Sequence, residues 1–161
     1  AARENLVLSD DCLEALVFVG QGDMRKAINA LQMATSVIDE GEKLEPGIIY
    51  ELEGFAAPAR VQAMIELIAN QPVDRSGRDA AFSKLLALFK SLKGISSKNL
   101  ILQLFKAFTA LDIKDAKKKA RLIDTLAVID HRITLKATDS IQFASLAASA
   151  WDIMKPVQAG N

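Results

Sequence analysis

The sequence predicts an all-α protein, built as a small three-helix unit followed by a five-helix bundle. Apolar residues recur three or four positions apart almost throughout, which is the period of an α-helix. Gly and Pro occur only 8 and 4 times in 161 residues, fewer than the usual ~7% and ~5%, so turns are few and regular elements long. Hydrophobic residues make up 50% and charged residues 25%, as in ordinary globular proteins rather than disordered ones.

Charge and cysteine content exclude several classes of protein. The 20 Lys and Arg balance 20 Asp and Glu, whereas proteins that bind nucleic acids by neutralising phosphates usually carry a basic excess. The single cysteine, Cys12, allows no intramolecular disulfide, and His131 is the one imidazole that could join it at a zinc site. Apolar runs are shorter than the ~20 residues that span a bilayer, and the N-terminus does not lead into a signal-peptide pattern. We therefore expect an intracellular protein without a membrane span.

The first two helices are predicted from caps and stops. Ser9 is a typical N-cap with acids at Asp10–Asp11 in the first turn, where the helix dipole favours negative charge. Gly20–Gly22 ends this helix, Asp23 caps the next one, and Gly41 is predicted to end it. The predicted buried stripes are Leu13, Leu16 and Val17 on the first helix, and Met24, Ala27, Ile28, Leu31, Thr35 and Ile38 on the second.

A short third helix and a break follow. Pro46 starts the third helix at a position where proline is tolerated, and Ile49, Tyr50 and Leu52 are its apolar residues. Gly54–Pro58 is the best candidate for a boundary, since Pro58 suits the first turn of another helix. We therefore divide the chain into residues 1–54 and 55–161.

The second part of the chain predicts five helices. Each has an apolar stripe of helical period, and the short connections indicate neighbours packed roughly antiparallel in a bundle. The markers of these helices are, in order, Pro58 at the first start, the turn Asn70–Gly77, Gly94 after the second helix, Ser96 or Ser97 as the third cap, Asp115 and Lys136 around the fourth, and Thr138 and Pro156 around the last.

The sharpest local motif is the helix start Gly22-Asp23-Met24-Arg25. The N–H groups and dipole of a helix N-terminus attract anions, and Arg25 adds a planar cation suited to phosphate. In many proteins, however, an Asp-x-Arg sequence at a helix start binds no ligand. The Asp caps the helix, and the Arg is a charge exposed to solvent. From the residues alone, both interpretations stay open.

This motif, with Asn29 and Leu31-Gln32 after it, resembles the sensor-2 motif in the lid of AAA+ clamp loaders, specifically the small subunits of the replication factor C family. Other segments resemble the same family in the same order along the chain. They are Leu8–Asp11 ahead of Leu13–Val17, Ile49–Leu52 with Gly54, Asp130–Thr134, and Ile141–Phe143 with Leu146.

The resemblance implies a fold, a function and site residues. Residues 1–54 would be the C-terminal part of an AAA+ lid, and residues 55–161 a five-helix collar that joins subunits. Arg25 would reach the γ-phosphate of ATP, and Met24 would line the base side of that pocket. The parent protein would use ATP to load the sliding clamp PCNA onto primer–template DNA. Its partners would be large and small clamp-loader subunits, with a homotypic collar contact, in the cytoplasm of an archaeon or the nucleus of a eukaryote.

The sequence also departs from the family pattern. The stretch Pro72–Arg78, between the first two helices of the second part, is longer than the family usually has. Glu45-Pro46 stands at a position where the family commonly has a Ser or Thr helix cap. The sequence contains no G-x-x-x-x-G-K-[ST] loop, the element that cradles nucleotide phosphates. We therefore expect that the chain is no enzyme by itself, does not bind ATP tightly, and is the C-terminal portion of a longer ATPase.

Two alternatives remain. One is the C-terminal region of another helical-lid ATPase, such as a bacterial clamp-loader subunit or a replication-restart ATPase. The other is a helical scaffold or adaptor without a nucleotide. The remaining notable residues have structural interpretations: Cys12 as a core filler, His131 as a helix-surface or interface residue, Lys117–Arg121 as a solvated helix face, and Trp151 as a core or collar-contact anchor.

Overall fold

A computed structural model describes residues 8–39, 42–92 and 94–156. Within these ranges the regular structure consists of eight α-helices and no strand, so the all-α prediction is confirmed. The chain divides into two compact units between Ala57 and Pro58. This division falls inside the segment Gly54–Pro58 that the sequence indicated as a boundary.

Three helices build the first unit. Ser9 caps the first of them by accepting a hydrogen bond from the Cys12 N–H at 3.3 Å. The second helix ends at Ser36, five residues before the predicted stop at Gly41, which lies outside the described residues. Its last hydroxyls, on Thr35 and Ser36, donate to carbonyls three residues back and so favour a helix end. The helices are α1 (Asp10–Gly20), α2 (Met24–Ser36) and α3 (Pro46–Leu52).

Helices α1 and α2 are in contact and both carry small buried residues. Ala15 on α1 and Ala30 and Ala34 on α2 are almost completely buried. Cys12 is fully buried, and its thiol donates to the Leu44 carbonyl at 3.1 Å. The cysteine is therefore a core residue, as predicted.

The predicted buried stripes of α1 and α2 are wrong in part. Leu13 and Val17 are 47% and 74% exposed, and Met24 and Ile28 are 73% and 49% exposed. Leu16, from the same stripe, is buried as predicted, whereas these four side chains lie at the surface. The consequence is an apolar surface on the first unit.

Five helices build the second unit. Asp74 caps α5 by accepting from the Gly77 N–H at 2.7 Å, so the helix starts inside the stretch that we predicted as a turn. Ser96, Asp115 and Thr138 occupy the N-cap positions of the last three helices, as predicted. The helices are α4 (Pro58–Ala69), α5 (Arg75–Lys90), α6 (Ser97–Ala110), α7 (Ala116–Thr134) and α8 (Asp139–Ile153).

The principal contacts between these helices form a closed cycle, α4–α5–α8–α7–α6 and back to α4. Helices α5 and α8 run antiparallel, because Phe82 packs on Trp151 with ring centroids 5.5 Å apart and Phe89 stacks on Phe143 at 5.9 Å. Trp151 is thus a core residue of this unit.

One end of this bundle is marked by a short hydrogen bond between the side chains of Ser97 and Asp139. These residues begin α6 and α8, so both helices start at this end, which we call the Ser97–Asp139 end. Because α5 runs antiparallel to α8, and α7 to its neighbours α6 and α8, α5 and α7 finish at the same end.

Two lysines of the basic run join helix ends at the opposite side of the bundle. The Lys119 ammonium donates to the carbonyls of Thr109 at 2.7 Å and Leu111 at 3.1 Å, at the end of α6. The Lys118 ammonium donates to the Lys155 carbonyl at 2.8 Å, just beyond α8. The prediction of a merely solvated face is wrong for these two lysines, because their long side chains reach carbonyls at neighbouring helix ends.

Among the helices in the described ranges, none combines the length and the apolar character needed to cross a membrane.

Candidate functional site

The site predicted from the sequence lies at the tight turn between α1 and α2. Gln21 adopts a left-handed conformation with φ 50°, and Gly22 has φ +88°, a backbone angle that favours glycine. A Cβ added to Gly20 would lie 3.0 Å from the Ala27 Cβ, closer than carbon atoms normally pack. This turn therefore holds the start of α2 directly against the end of α1.

Asp23 caps α2 and determines which groups at the helix start can meet an anion. Its carboxylate accepts hydrogen bonds from the N–H groups of Arg25 at 2.8 Å and Lys26 at 3.3 Å. The cap therefore satisfies two of the backbone donors of this helix start. The side chain of Arg25 is the exposed cation that a phosphate could meet there.

The two cations in the first turn of α2 have different surroundings. Lys26 places its ammonium over the Phe55 ring, 5.5 Å from the centroid, a cation–π arrangement that holds this side chain against the first unit. Arg25 is exposed. The guanidinium is therefore accessible to a ligand or to another protein segment.

An apolar groove of about 480 Å³ lies along α1 and α2, next to this turn. Met24 lines it, and Arg25 belongs to the neighbouring position on the helix. We call it the α1–α2 groove. A wall of this kind accepts a flat apolar group, while a cation at its margin accepts negative charge. Its lining residues are Leu8, Leu13, Leu16, Val17, Gly20, Gly22, Asp23, Met24, Ala27, Ile28 and Leu31.

The structure places Met24 in the groove and Arg25 exposed beside it, and their role as site residues stays a prediction. Sequence reasoning assigned the groove residues Leu13, Val17 and Ile28 to the core. The available signal was their helical spacing, which identifies a shared face without showing whether that face is covered. His131 is exposed in the last turn of α7, as expected of a helix-surface residue. Among the described residues, no group of three or more His, Cys, Asp or Glu is arranged to hold a metal ion.

Comparison with known proteins assigns the second unit to a class. Residues 56–149 match the family described as "Replication factor C C-terminal domain", which covers α4 to α7 and most of α8. The five-helix unit thus corresponds to the C-terminal domain of replication factor C proteins. The chain belongs to the replication factor C family.

Curated relatives extend the similarity into the first unit. The replication factor C small subunit of Methanocaldococcus jannaschii is 35% identical over 148 residues, which are 92% of this chain and 8% of that protein. The small subunits of Methanoregula boonei and Archaeoglobus fulgidus are 34% and 35% identical over 92% and 91% of this chain. The chain spans 43% of the length of each of these two, so less than half of the relatives is represented.

Proposed function

We propose that this chain is the C-terminal region of a clamp-loader small subunit. Residues 1–54 would belong to the AAA+ lid and sense the nucleotide, and residues 55–161 would be the collar that assembles subunits. The observation that carries the proposal is the exposed Arg25 beside the α1–α2 groove, at a Gly-Asp-Met-Arg helix start in a member of this family.

The chemistry of these groups suits ATP. The guanidinium of Arg25 offers two parallel N–H donors for a γ-phosphate, and Met24 with the apolar groove wall suits the face of a base. Charge at the γ-phosphate would thereby influence the position of α2. Bound ATP would supply the free energy that its hydrolysis releases, while these residues bind and orient it.

The chain alone is expected to bind ATP weakly. One cation at a helix end contributes on the order of 1 kcal/mol towards an anion, whereas a Kd of 1 mM already needs about 4 kcal/mol. Isothermal titration of the 161-residue chain with ATP should therefore show no saturation below about 1 mM, and no phosphate release. Micromolar binding would contradict the assignment of the phosphate cradle to another part of the protein.

The proposed partners follow from the same family assignment. The collar would contact large and small clamp-loader subunits, and the ATPase portion of the full-length protein would contact PCNA and primer–template DNA. The relatives described above are archaeal proteins, which supports a cytoplasmic location.

The test is Arg25→Ala in the full-length protein within its complex. Removing a cation that stabilises charge around the γ-phosphate should reduce ATP turnover and clamp loading at least tenfold, since one such donor is typically worth ~10²–10³ in rate. Arg60→Ala is the matched control, because Arg60 is an exposed arginine near the start of α4. If Arg25→Ala loads the clamp at the same rate as the Arg60→Ala control, the assignment of Arg25 to the nucleotide site is wrong.

A further inference from the structure

The segment that leads from the first unit towards α4 is fixed by two backbone hydrogen bonds at the end of α3. The Gly54 N–H donates to the Glu51 carbonyl at 3.0 Å, and the Phe55 N–H donates to the Tyr50 carbonyl at 2.8 Å. Gly54 has φ +68°, so this helix end is a Schellman motif. We call Gly54–Ala57 the junction segment, because the division between the two units follows it.

Buried side chains hold the junction segment in the core of the first unit. Phe55 and Ala56 are both fully buried. The Phe18 ring of α1 meets the Phe55 ring edge-on with centroids 5.4 Å apart, and it meets the Tyr50 ring at 5.6 Å. The chain is therefore packed as part of the first unit up to Ala56, two residues before α4 begins.

The first turn of α2 contacts the junction segment through Lys26. The Lys26 ammonium lies over the Phe55 ring, 5.5 Å from its centroid, and within the described part of the chain it has no ion pair. The Lys26 backbone N–H donates to the Asp23 cap at 3.3 Å. A cation within about 6 Å of an aromatic centroid is attracted to the face of the ring. Lys26 therefore connects the capped start of α2 to the junction segment.

Arg25 and Lys26 leave the same helical turn in different directions. Adjacent residues of an α-helix lie roughly 100° apart around its axis, because one turn contains about 3.6 residues. Arg25 is exposed beside the α1–α2 groove, whereas Lys26 is partly buried over Phe55. One turn of α2 thus presents one cation to the proposed nucleotide site and another to the junction segment.

We propose that Lys26 is a positioning residue that transmits the nucleotide state from Arg25 to the junction segment. This inference rests on the nucleotide-sensing role proposed above and adds the route by which the signal leaves α2. A γ-phosphate held by Arg25 restrains the first turn of α2, and the contact between Lys26 and Phe55 passes that restraint to the segment that enters α4. The contact joins two backbone elements of fixed geometry, a capped helix start and a Schellman motif, so a shift of one is opposed by the other.

Hydrogen–deuterium exchange in the full-length protein within its complex tests this transmission. The probe is the Phe55 amide, which exchanges when its hydrogen bond to Tyr50 opens. Saturating ATPγS, a slowly hydrolysed ATP analogue, should slow this exchange about two- to fivefold, which corresponds to the ~0.5–1 kcal/mol of an exposed cation–π contact. Lys26→Met keeps the apolar length but no charge, so the nucleotide should leave the exchange unchanged. Lys26→Arg keeps a cation that stacks on a ring and should restore the response.

Steady-state ATP turnover by the same complex separates positioning from binding. Lys26 does not touch the nucleotide in this proposal, so Lys26→Met should lower kcat during clamp loading about two- to fivefold and leave KM for ATP unchanged within about twofold. Lys43→Met is the matched control, because Lys43 is an exposed lysine of the first unit, and it should behave like the unsubstituted protein. A raised KM with unchanged kcat would show that Lys26 binds the nucleotide itself and would overturn the positioning role.

The outcomes separate this inference from the proposed nucleotide site. If ATPγS changes the Phe55 exchange equally in Lys26→Met and in the unsubstituted protein, or changes it in neither, this inference is overturned and the role of Arg25 stands. Equal defects in Lys26→Met and Lys26→Arg also overturn it, because either cation can lie over the ring. If Arg25→Ala loads the clamp normally, the proposed nucleotide site is wrong, and this inference falls with it. Far-ultraviolet circular dichroism of each variant shows that a lost response is not lost folding.

Discussion

At the scale of single residues, the basic run Lys117–Arg121 combines two different roles. Lys118 and Lys119 donate to carbonyls at the ends of α8 and α6, whereas Lys117 is exposed. The sequence could not distinguish them, because a helical sequence pattern does not show which lysine reaches another helix end. A hydrogen bond from a charged donor typically contributes about 1.5–3 kcal/mol. Lys119 lies at or below the lower end of that range, because its side chain is partly exposed and the Leu111 carbonyl also accepts from the Ile113 N–H.

Lys119→Met tests this role. Methionine keeps much of the apolar length but removes both hydrogen bonds to the end of α6, so the free energy of unfolding should fall by about 1–1.5 kcal/mol. Urea denaturation followed by circular dichroism measures this change in the free energy of unfolding. Lys117→Met is the matched control and should change stability by less than about 0.5 kcal/mol. Equal values for the two variants would show that the Lys119 hydrogen bonds contribute nothing.

Tyr50, the single tyrosine, predicts a change with pH. Burial, and secondly the negative charge of Glu14, raise the pKa of its phenol above the ordinary value near 10. The neutral phenol is favoured in the folded state, so its contribution to stability is complete below pH ~10 and is lost as pH rises through the folded pKa. Absorbance titration should show tyrosinate forming in the folded chain at a higher pH than in urea. Coincident curves would contradict the expected burial effect.

At the scale of elements, sequence reasoning predicted which segments are helical better than which faces are covered. In α4 four apolar residues recur at helical spacing, and all four are buried: Val61, Met64, Ile65 and Ile68. In α1 and α2 the small residues Ala15, Ala30 and Ala34 are buried, whereas several larger apolar residues line the α1–α2 groove. Hydrophobic periodicity could not predict this exposure, because it identifies the apolar face of a helix without showing whether another part of the protein covers that face.

The turn between α1 and α2 gives a prediction at this scale. Gly22→Ala places a side chain at φ +88°, where only glycine is unstrained, so the first unit should lose about 1 kcal/mol of stability. Gly47→Ala is the control, because Gly47 lies in the first turn of α3 with open space around it and alanine favours a helix. In thermal denaturation, Gly22→Ala should have a lower melting temperature than the unsubstituted chain. Gly47→Ala should have the same melting temperature as the unsubstituted chain or a higher one. The reverse order would contradict the turn geometry.

At the scale of the whole molecule, the sequence predicted that the second unit has five helices. It did not predict which of these helices pack against each other. Stripes and caps located the helices, and short connections implied antiparallel neighbours. The packing of α8 against α5 depends on contacts between side chains that are far apart in sequence, such as Phe82 with Trp151. No local pattern specifies such a pairing.

Leu104→Ala tests the shared core of this bundle. Leu104 has 0% exposure, and truncation leaves a cavity among packed helices, so the free energy of unfolding should fall by about 2–5 kcal/mol. Val128→Ala changes a residue that is 41% exposed and should cost less than about 1 kcal/mol. Similar losses in chemical denaturation would mean that Leu104 lies in a region able to collapse around the deletion.

The closed cycle of helices also bears on how the protein is made. Helix α5 finds its partner α8 only after about 50 further residues have been synthesised, which takes roughly 3–10 s at 5–20 residues per second. During those seconds Phe89, which is buried against Phe143 of α8 in the finished bundle, has no α8 against which to pack. The hairpins α6–α7 and α7–α8 close over short distances and form early, whereas the α5–α8 contact cannot form until α8 has left the ribosome. Nascent chains of this protein therefore offer chaperones an apolar surface that the folded protein conceals.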